Sequence, residues 1–320
     1  MGQVKAVEKE NVTMRAGNCS VTILPHLGGK IASIRIGDRE LLQAPLVPYA
    51  PRTRTMSFDA SDASGWDECL PSVAACSVET AAGAAAIPDH GDLWRTQWSK
   101  IRDQESDGRS AALRGECFSL PLRLDRAVAL EETESGWKLK LAYTVTNTGN
   151  FPAPWSWAAH PLFAAEAGDR IHLPRSIHVL RLEGSSGGRL GRNGDAVRWP
   201  EAALTAGGQT DLSVAQLMDS GIGDKLFAGP LNENENWCAL ERPKAGVRIR
   251  VGFDAAATPY LGLWICYGGW PERPGAKQMC VAMEPATAPV DSLAATGPWS
   301  RVLLPGQSYS WPMTVVIDSI

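Results

Sequence analysis

The chain of 320 residues lacks several features that would assign it to a familiar functional class. Its 31 Lys and Arg residues stand against 35 Asp and Glu, so no excess of positive charge is available to neutralise nucleic-acid phosphates. No run of 18 apolar residues and no apolar signal-peptide core are found. The seven cysteines form no C-x-x-C pair, which favours reduced thiols over a disulfide framework. We therefore predict a cytoplasmic protein that binds neither nucleic acid nor membrane.

Tryptophan is abundant, with 12 residues against 6 Phe and 5 Tyr, and the chain also has 31 Gly and 22 Pro. Apolar residues alternate with polar ones along residues 122–130, 139–145 and 247–253, which is the period of a half-buried strand. Helical periodicity is scarce, and its best example is residues 211–218, which we expect to form a short helix capped by Asp211. Many short strands between turn residues predict an all-β fold of large antiparallel sheets, in one domain over residues 1–320.

Few motifs point to chemistry. Residues 184–188 match the G-x-S-x-G nucleophile elbow, but loop-forming residues follow where a helix is required, so the match is accidental. His90 lies between Asp89 and Gly91 in a shaped turn, and His160 stands at a strand end. Glu284 ends an apolar strand, where a buried carboxylate needs a partner, a proton or a wet cavity. The histidine spacing matches no metal motif, and we predict no metal and no cofactor.

Five short segments, taken in order, resemble the aldose 1-epimerase (galactose mutarotase-like) family. They are residues 21–34 (VTILPHLGGKIASI), 88–91 (PDHG), 159–163 (AHPLF), 282–285 (AMEP) and 304–307 (LPGQ). The resemblance covers residues 12–318. It implies a β-supersandwich in which large antiparallel sheets pack face to face and one concave side holds a sugar.

The resemblance also implies site roles. Glu284 would act as general base on the anomeric hydroxyl, His160 as general acid toward the ring oxygen, and His90 as a substrate-positioning residue. Asp224 is the best match to an aspartate that holds sugar hydroxyls. Because tryptophan faces suit the C–H faces of a pyranose, the candidate platforms are Trp66, Trp94, Trp264 and Trp270.

The chain departs from the family where galactose mutarotases carry an Asn-Arg pair, since Trp66, Asp67 and Glu68 stand there instead. We expect these residues to contact the substrate, and the acids to disfavour anionic sugars. The leading hypothesis is therefore an epimerase of a neutral sugar. A carbohydrate-binding protein without catalysis is the alternative, preferred if His160 and Glu284 lie on opposite sheets or if a salt bridge locks Glu284.

A hexose-phosphate epimerase is a third hypothesis, for which three arginines would supply an anion site: Arg52, Arg54 and Arg95. The particular sugar, its preferred anomer and the oligomeric state are left open by the sequence.

Overall fold

The computed structural model describes residues 11–102 and 108–320, which are dominated by two large antiparallel sheets. The first sheet has eleven strands. In spatial order they are β1 (Val12–Ala16), β2 (Cys19–Leu24), β3 (Lys30–Ile36), β5 (Trp66–Cys69), β13 (Ala158–Ala164), β23 (Met279–Ala286), β22 (Tyr260–Tyr267), β19 (Ile222–Ala228), β15 (Val179–Ser185) and β16 (Ala196–Arg198), with β4 (Arg39–Glu40) paired to β3.

The second sheet has eight strands and contains the three longest segments of predicted alternation. In spatial order they are β14 (Arg170–His172), β20 (Trp237–Arg242), β21 (Val247–Phe253), β25 (Ser308–Ser319), β11 (Gly136–Asn147), β10 (Leu122–Glu132), β9 (Ser110–Glu116) and β8 (Ser99–Arg102). Every second side chain of β10, β11 and β21 is buried, as the alternation requires. The predicted all-β fold class is confirmed.

Three two-stranded ribbons and seven short 3-10 helices complete the described elements. The ribbons pair β6 (Cys76–Thr80) with β7 (Gly83–Ile87), β12 (Ala153–Trp155) with β24 (Arg301–Leu303), and β17 (Glu201–Ala203) with β18 (Gln209–Asp211). The 3-10 helices are Pro25–Leu27, Leu93–Arg95, Ser186–Gly188, Met218–Ser220, Pro243–Ala245, Leu293–Ala295 and Gly297–Trp299. None of the helices in the described part of the chain is long and apolar enough to cross a membrane.

The helix expected over residues 211–218 is wrong. Asp211 ends β18, and its Oδ1 accepts a hydrogen bond from the backbone N–H of Ser213, at 2.8 Å, in place of capping a helix. The backbone then bonds to another part of the chain, since Ile171 N–H donates to Ser213 and Ala215 N–H donates to Asp169. These cross-chain bonds use the groups that an α-helix would pair internally.

The two large sheets pack face to face around an aromatic core. Tyr143 of β11 lies 4.9 Å from Trp157, and Trp311 of β25 lies 4.9 Å from the same ring, measured between ring centroids. Arg126 of β10 crosses the interface to reach Glu68 of β5 at 2.9 Å. The inner face of the first sheet is thus filled by the second sheet, and only its other face is available to form a cavity.

Candidate active site

The candidate site is built on the face of the first sheet that points away from the second. Along β23, Val281 and Met283 belong to the core between the sheets, and Glu284, the residue after Met283, therefore points to the other face. Along β13, Ala159 and Phe163 are core residues, which directs His160 to the same face as Glu284. Both strands are central in the sheet, so both side chains are held on rigid backbone.

His160 and Glu284 are cross-strand neighbours. The register that pairs Ala158 with Ala286 and Leu162 with Ala282 places His160 opposite Glu284. His160 Nε2 lies 3.9 Å from Glu284 Oε1. Glu284 Oε1 and His160 Nδ1 are both buried without a hydrogen-bond partner. The pair therefore has unused hydrogen-bonding capacity of the kind that a bound polar molecule can satisfy.

A cavity of about 160 Å³ opens over this pair. Its volume corresponds to on the order of ten water molecules, which is the scale of one monosaccharide ring. Five apolar or aromatic residues and seven polar or charged ones line it, and convergent polar groups beside aromatic walls are typical of small-molecule sites. The lining residues are Phe58, Val73, Ala74, Asp89, His90, His160, Lys225, Trp264, Trp270, Gln278, Glu284 and Asp291.

His90 reaches the cavity from a strained turn. Its backbone has φ of 59°, a left-handed conformation that is uncommon outside glycine. Its ring stacks on Phe58 at 3.7 Å and lies edge-on to His160 at 5.1 Å, both measured between centroids. Asp89 Oδ2 lies 2.8 Å from His90 Nδ1, which leaves Nε2 as the nitrogen available to a ligand. Gly91 is required here because a Cβ would lie 2.3 Å from Leu70 O.

Lys225 is the cation of the site. Its Nζ donates a short hydrogen bond to Glu284 Oε2 and lies 3.5 Å from Asp291 Oδ1. The ammonium also sits 5.3 Å from the ring centroid of Phe227. One carboxylate oxygen of Glu284 is thus held by Lys225, while the other faces His160.

Burial and these neighbours shift the acid–base properties of the site. Burial raises the pKa of Glu284, and the charge of Lys225 opposes that rise. Burial lowers the pKa of His160 well below its ordinary value, and the charges of His90 and Lys225 add to the effect. Burial lowers the pKa of Lys225, but attraction to Asp291 and Glu284 outweighs it and raises the pKa above the ordinary value. Neutral His160 and charged Lys225 are the resting forms at neutral pH.

Three residues expected to contact the substrate from β5 lie outside the cavity lining. Asp67 and Glu68 point to opposite faces of the sheet, as strand alternation requires. Asp67 is ion-paired with Lys30, whose Nζ lies 2.5 Å from its Oδ2. Glu68 points into the core, where it accepts hydrogen bonds from Arg126, Tyr143 and Trp157. Trp66 has no exposed surface and belongs to the same core.

Two further candidates lie one layer behind the cavity. Asp224 points to the opposite side of β19 from Lys225, and its carboxylate accepts hydrogen bonds from Arg189 Nε at 2.9 Å and Ser185 Oγ at 2.7 Å. Trp94 is fully buried and packs edge-on behind Phe58, at 5.2 Å between centroids. Trp264 and Trp270 do line the cavity, and Trp264 Nε1 donates to Gln278 Oε1 at 3.0 Å.

The three arginines of the anion-site hypothesis have other partners. Arg52 Nη2 lies 2.6 Å from Asp62 Oδ1, and Arg54 lies over the ring of Phe118. Arg95 donates to the backbone carbonyls of Met56, Asp89 and Gly91. None of the three is among the residues that line the cavity.

Two other observations bear on where a ligand binds. A larger groove, of about 620 Å³, lies on the outer face of the second sheet, but its lining includes Trp237, Arg250 and Asp254 and no histidine. Within residues 11–102 and 108–320, no group of three or more His, Cys, Asp or Glu side chains is arranged to hold a metal ion. The cavity over His160 and Glu284 is therefore the stronger candidate for acid–base chemistry.

Solved structures of other proteins share this architecture over nearly the whole chain. They include the Slr1438 protein of Synechocystis sp. PCC 6803 (TM-score 0.71, 16% identity, 100% of both chains covered) and a candidate aldose 1-epimerase from Escherichia coli K12 (TM-score 0.68, 18% identity, 97% of this chain and 99% of that one). A galactose mutarotase-like protein from Lactobacillus casei ATCC 334 gives a TM-score of 0.65 at 16% identity, with 97% of this chain and all of the other covered.

The chain has the galactose mutarotase-like fold. The family resemblance read from the five short segments is thereby confirmed at the level of fold. No family model matches the sequence, and no curated protein matches it either. At 16–18% identity, these solved structures share too few residues with the chain to transfer an activity, so its function follows only from the site.

Sequence reasoning missed several residues of the cavity lining, among them Phe58, Lys225, Gln278 and Asp291. The nearest signal was at Asp224 and Lys225, two adjacent charged residues within the otherwise apolar strand β19. Strand alternation says that only one of such a pair can reach a given face. The resemblance favoured Asp224, whereas the structure directs Lys225 to the cavity.

Proposed function

We propose that this protein is an aldose 1-epimerase-like isomerase that interconverts the anomers of a neutral sugar. The observation that carries the proposal is the placement of His160 Nε2 3.9 Å from Glu284 Oε1 on the wall of a cavity of monosaccharide size. General acid–base catalysis needs two groups that can exchange protons with neighbouring atoms of one substrate. The anomeric hydroxyl and the ring oxygen are both attached to C1, so two adjacent groups can serve them together.

The reaction requires one proton removed and one delivered. Glu284 Oε1 takes the proton from the anomeric hydroxyl, the C1–O bond to the ring oxygen breaks, and C1 becomes an aldehyde carbon. His160 gives its Nε2 proton to the ring oxygen, which becomes a hydroxyl. Rotation about the C1–C2 bond turns the other aldehyde face inward, and the reverse transfers close the ring. Atoms and protons balance without a cofactor, and each positioned transfer contributes about 10²–10⁴-fold.

The pKa shifts define when the pair is competent. The step needs one proton on the pair, and the depressed pKa of His160 together with the raised pKa of Glu284 makes the one-proton state available over a limited pH range. A bell-shaped dependence of kcat/KM on pH follows. His90, whose Nδ1 lies 2.8 Å from Asp89 Oδ2, presents its Nε2 to a sugar hydroxyl beside His160.

The aromatic walls favour a sugar as the ligand. Trp264 and Trp270 are half-buried and line the cavity together with Phe58, whose ring centroid lies 6.0 Å from that of Trp270. Such surfaces match the apolar C–H faces of a pyranose, while the polar groups match its hydroxyls. The cavity lining includes none of the arginines of the anion-site hypothesis, which favours a neutral sugar over a sugar phosphate.

A second function has an observation in its favour. The buried ion pair between Lys225 and Glu284 occupies one carboxylate oxygen, which is the feature that favours carbohydrate binding without catalysis. Against this, the two proton-transfer groups lie on one sheet, and Oε1 has no other partner. We therefore place catalysis first and sugar binding alone second.

The test measures anomer exchange by NMR on a panel of freshly dissolved neutral aldoses. The wild-type protein should accelerate exchange of at least one sugar above the buffer rate, and Glu284→Gln should reduce that acceleration by ~10²–10⁴-fold. Glu131→Gln is the matched control, because Glu131 is a half-exposed carboxylate on the second sheet that pairs with Lys140.

The outcomes separate the two functions. If no aldose exchanges faster than the blank while a sugar still quenches tryptophan fluorescence, catalysis is excluded and binding alone remains. If Glu284→Gln and Glu131→Gln exchange sugar at equal rates, Glu284 is not the base.

A further inference from the structure

Lys225 holds a position that the proposed reaction does not by itself require. Its Nζ contacts Glu284 Oε2 and lies 3.5 Å from Asp291 Oδ1, and its side chain is only 10% exposed. Lysine is rarely buried to this degree without a partner. Here it serves two carboxylates at once, at the wall of the cavity rather than in the core.

The contact makes the two oxygens of Glu284 inequivalent. Oε2 accepts the hydrogen bond from Lys225, while Oε1 has no partner and faces His160 Nε2 at 3.9 Å. A hydrogen bond to one oxygen fixes the plane of the carboxylate, and so it aims the other oxygen. The backbone on both sides is strand, which leaves little freedom to re-aim it.

The proton shared by His160 and Glu284 can lie on either group. The arrangement with His160 charged and Glu284 ionised holds the same number of protons as the arrangement with both groups neutral. Only the first allows His160 to act as acid and Glu284 as base. The difference between them depends on the local charges, which decide where the proton resides.

Several titratable groups face Glu284 from the elements packed around it. The imidazoles of His90 and His160 face it from the cavity side, and the thiols of Cys69 and Cys280 face it from the first sheet. The other two groups are the Asp291 carboxylate and the Lys225 ammonium. Both thiols stay protonated, because burial raises the pKa of Cys69 and Cys280 well above their ordinary values. Lys225 is the member of this set in hydrogen-bond contact with the Glu284 carboxylate.

We propose that Lys225 is a positioning residue that draws the shared proton from Glu284 toward His160 and thereby makes Glu284 the base. Its cation touches Glu284 and lies farther from His160, so it stabilises the ionised carboxylate more than it destabilises the imidazolium. Asp291, on the far side of Lys225, holds the ammonium in place. This inference rests on the proposed function, for which it assigns the direction of proton transfer.

The first test is the pH dependence of kcat/KM for wild type, Lys225→Met and Lys225→Arg. Methionine keeps an apolar stem over Phe227 but removes the charge, so Glu284 should hold its proton to higher pH. The acid limb of the profile should move to higher pH by at least one unit. At a pH below the limb, kcat/KM should then be at least tenfold lower than in wild type. Lys225→Arg should restore the wild-type limb.

A purely structural lysine gives a different result. The rate of Lys225→Met would then fall by the same factor at every pH, with the acid limb unmoved, and that result overturns the proposal. Folding is checked by thermal unfolding of Lys225→Met and of the double variant Lys225→Met/Glu284→Gln. Because the double variant removes both charges, it should regain the stability lost by leaving Glu284 unpaired.

The second test does not depend on catalysis. The Glu284 carboxyl is titrated by ¹³C NMR and assigned by its absence in Glu284→Gln. Its pKa should be higher in Lys225→Met than in wild type, and near wild type in Lys225→Arg. Equal values in all three proteins would overturn the role of Lys225. An inactive wild type in which the pKa still rises would instead overturn the proposed function and leave the effect of Lys225 on Glu284 established.

Discussion

Gly262 lies between the two partners of the central ion pair, and its substitution gives a sharp test of the site geometry. The register pairs Gly262 of β22 with Glu284 on one side and with Phe227 on the other. A Cβ added to Gly262 would lie 3.3 Å from both Cβ and Oε2 of Glu284 and 3.2 Å from Cε1 of Phe227. The absent side chain is what lets the Glu284 carboxylate extend across β22 toward Lys225.

The expected effect of Gly262→Ala follows from these distances. The contacts are short by a few tenths of an ångström, so the carboxylate must move by that much. Misplacing a catalytic group by ~1 Å lowers the rate about 10²-fold. If the logarithm of this loss scales with the displacement, a shift of ~0.3 Å predicts about a fourfold loss of kcat. This equals about 0.8 kcal/mol of transition-state stabilisation. Stability should not fall, because alanine restricts the unfolded chain more than glycine does.

The assay is anomer exchange under saturating sugar, with Gly184→Ala as the matched control. Gly184 is also a strand glycine of the first sheet, but a Cβ there would meet nothing within 4 Å. The reasoning is refuted if Gly262→Ala keeps its full kcat, or if Gly184→Ala loses as much. A large loss of thermal stability in Gly262→Ala alone would refute the claim that the crowding acts on the carboxylate.

Two other outcomes follow from the same structure. Burial raises the pKa of Glu68 from 4.5 to about 7, so this group stabilises the fold most below pH 4.5, and its contribution is lost as the pH rises toward 7. The difference in unfolding free energy between wild type and Glu68→Gln, measured by urea unfolding, should therefore change by about 3 kcal/mol between these pH values. A difference that stays constant with pH would contradict this prediction. Trp264→Ala should raise KM about fivefold with little change in kcat, because losing one aromatic contact weakens binding of the ground state and of the transition state alike by ~1 kcal/mol. An unchanged KM would show that Trp264 does not contact the sugar.

Most of the fold could be predicted from the sequence because one face of each long strand meets the core. The alternation along β10, β11 and β21 reports that burial directly. The central strands of the first sheet are harder to interpret, because both of their faces are covered. All four residues of β5 are buried, so the period-two signal that would separate core from cavity is absent there. This is why Trp66 and Glu68 could not be told from cavity residues.

The histidines and the glutamate of the site could be recognised because each lies within a short local motif. Lys225 could not, since its role depends on a partner two strands away. Its link to Glu284 crosses β22 at a glycine, and no local pattern in residues 222–228 carries that information. Asp291 is similar, because it follows β23 and acts on Glu284 through Lys225. Site residues whose roles depend on contacts between distant strands cannot be recognised from a single segment of the sequence.

The charges around the cavity favour a neutral substrate, as we expected from the acids Asp67 and Glu68 in the sequence. The two acids of β5 are ion-paired away from the cavity lining, Asp67 with Lys30 and Glu68 with Arg126. Within the lining, the cation of Lys225 is shared between Glu284 and Asp291. A phosphate or carboxylate on the substrate would therefore meet the three carboxylates of the lining (Asp89, Glu284 and Asp291) and no unshared lysine or arginine there, so its desolvation cost would not be offset. A neutral sugar avoids this cost and leaves Lys225 to act on the base.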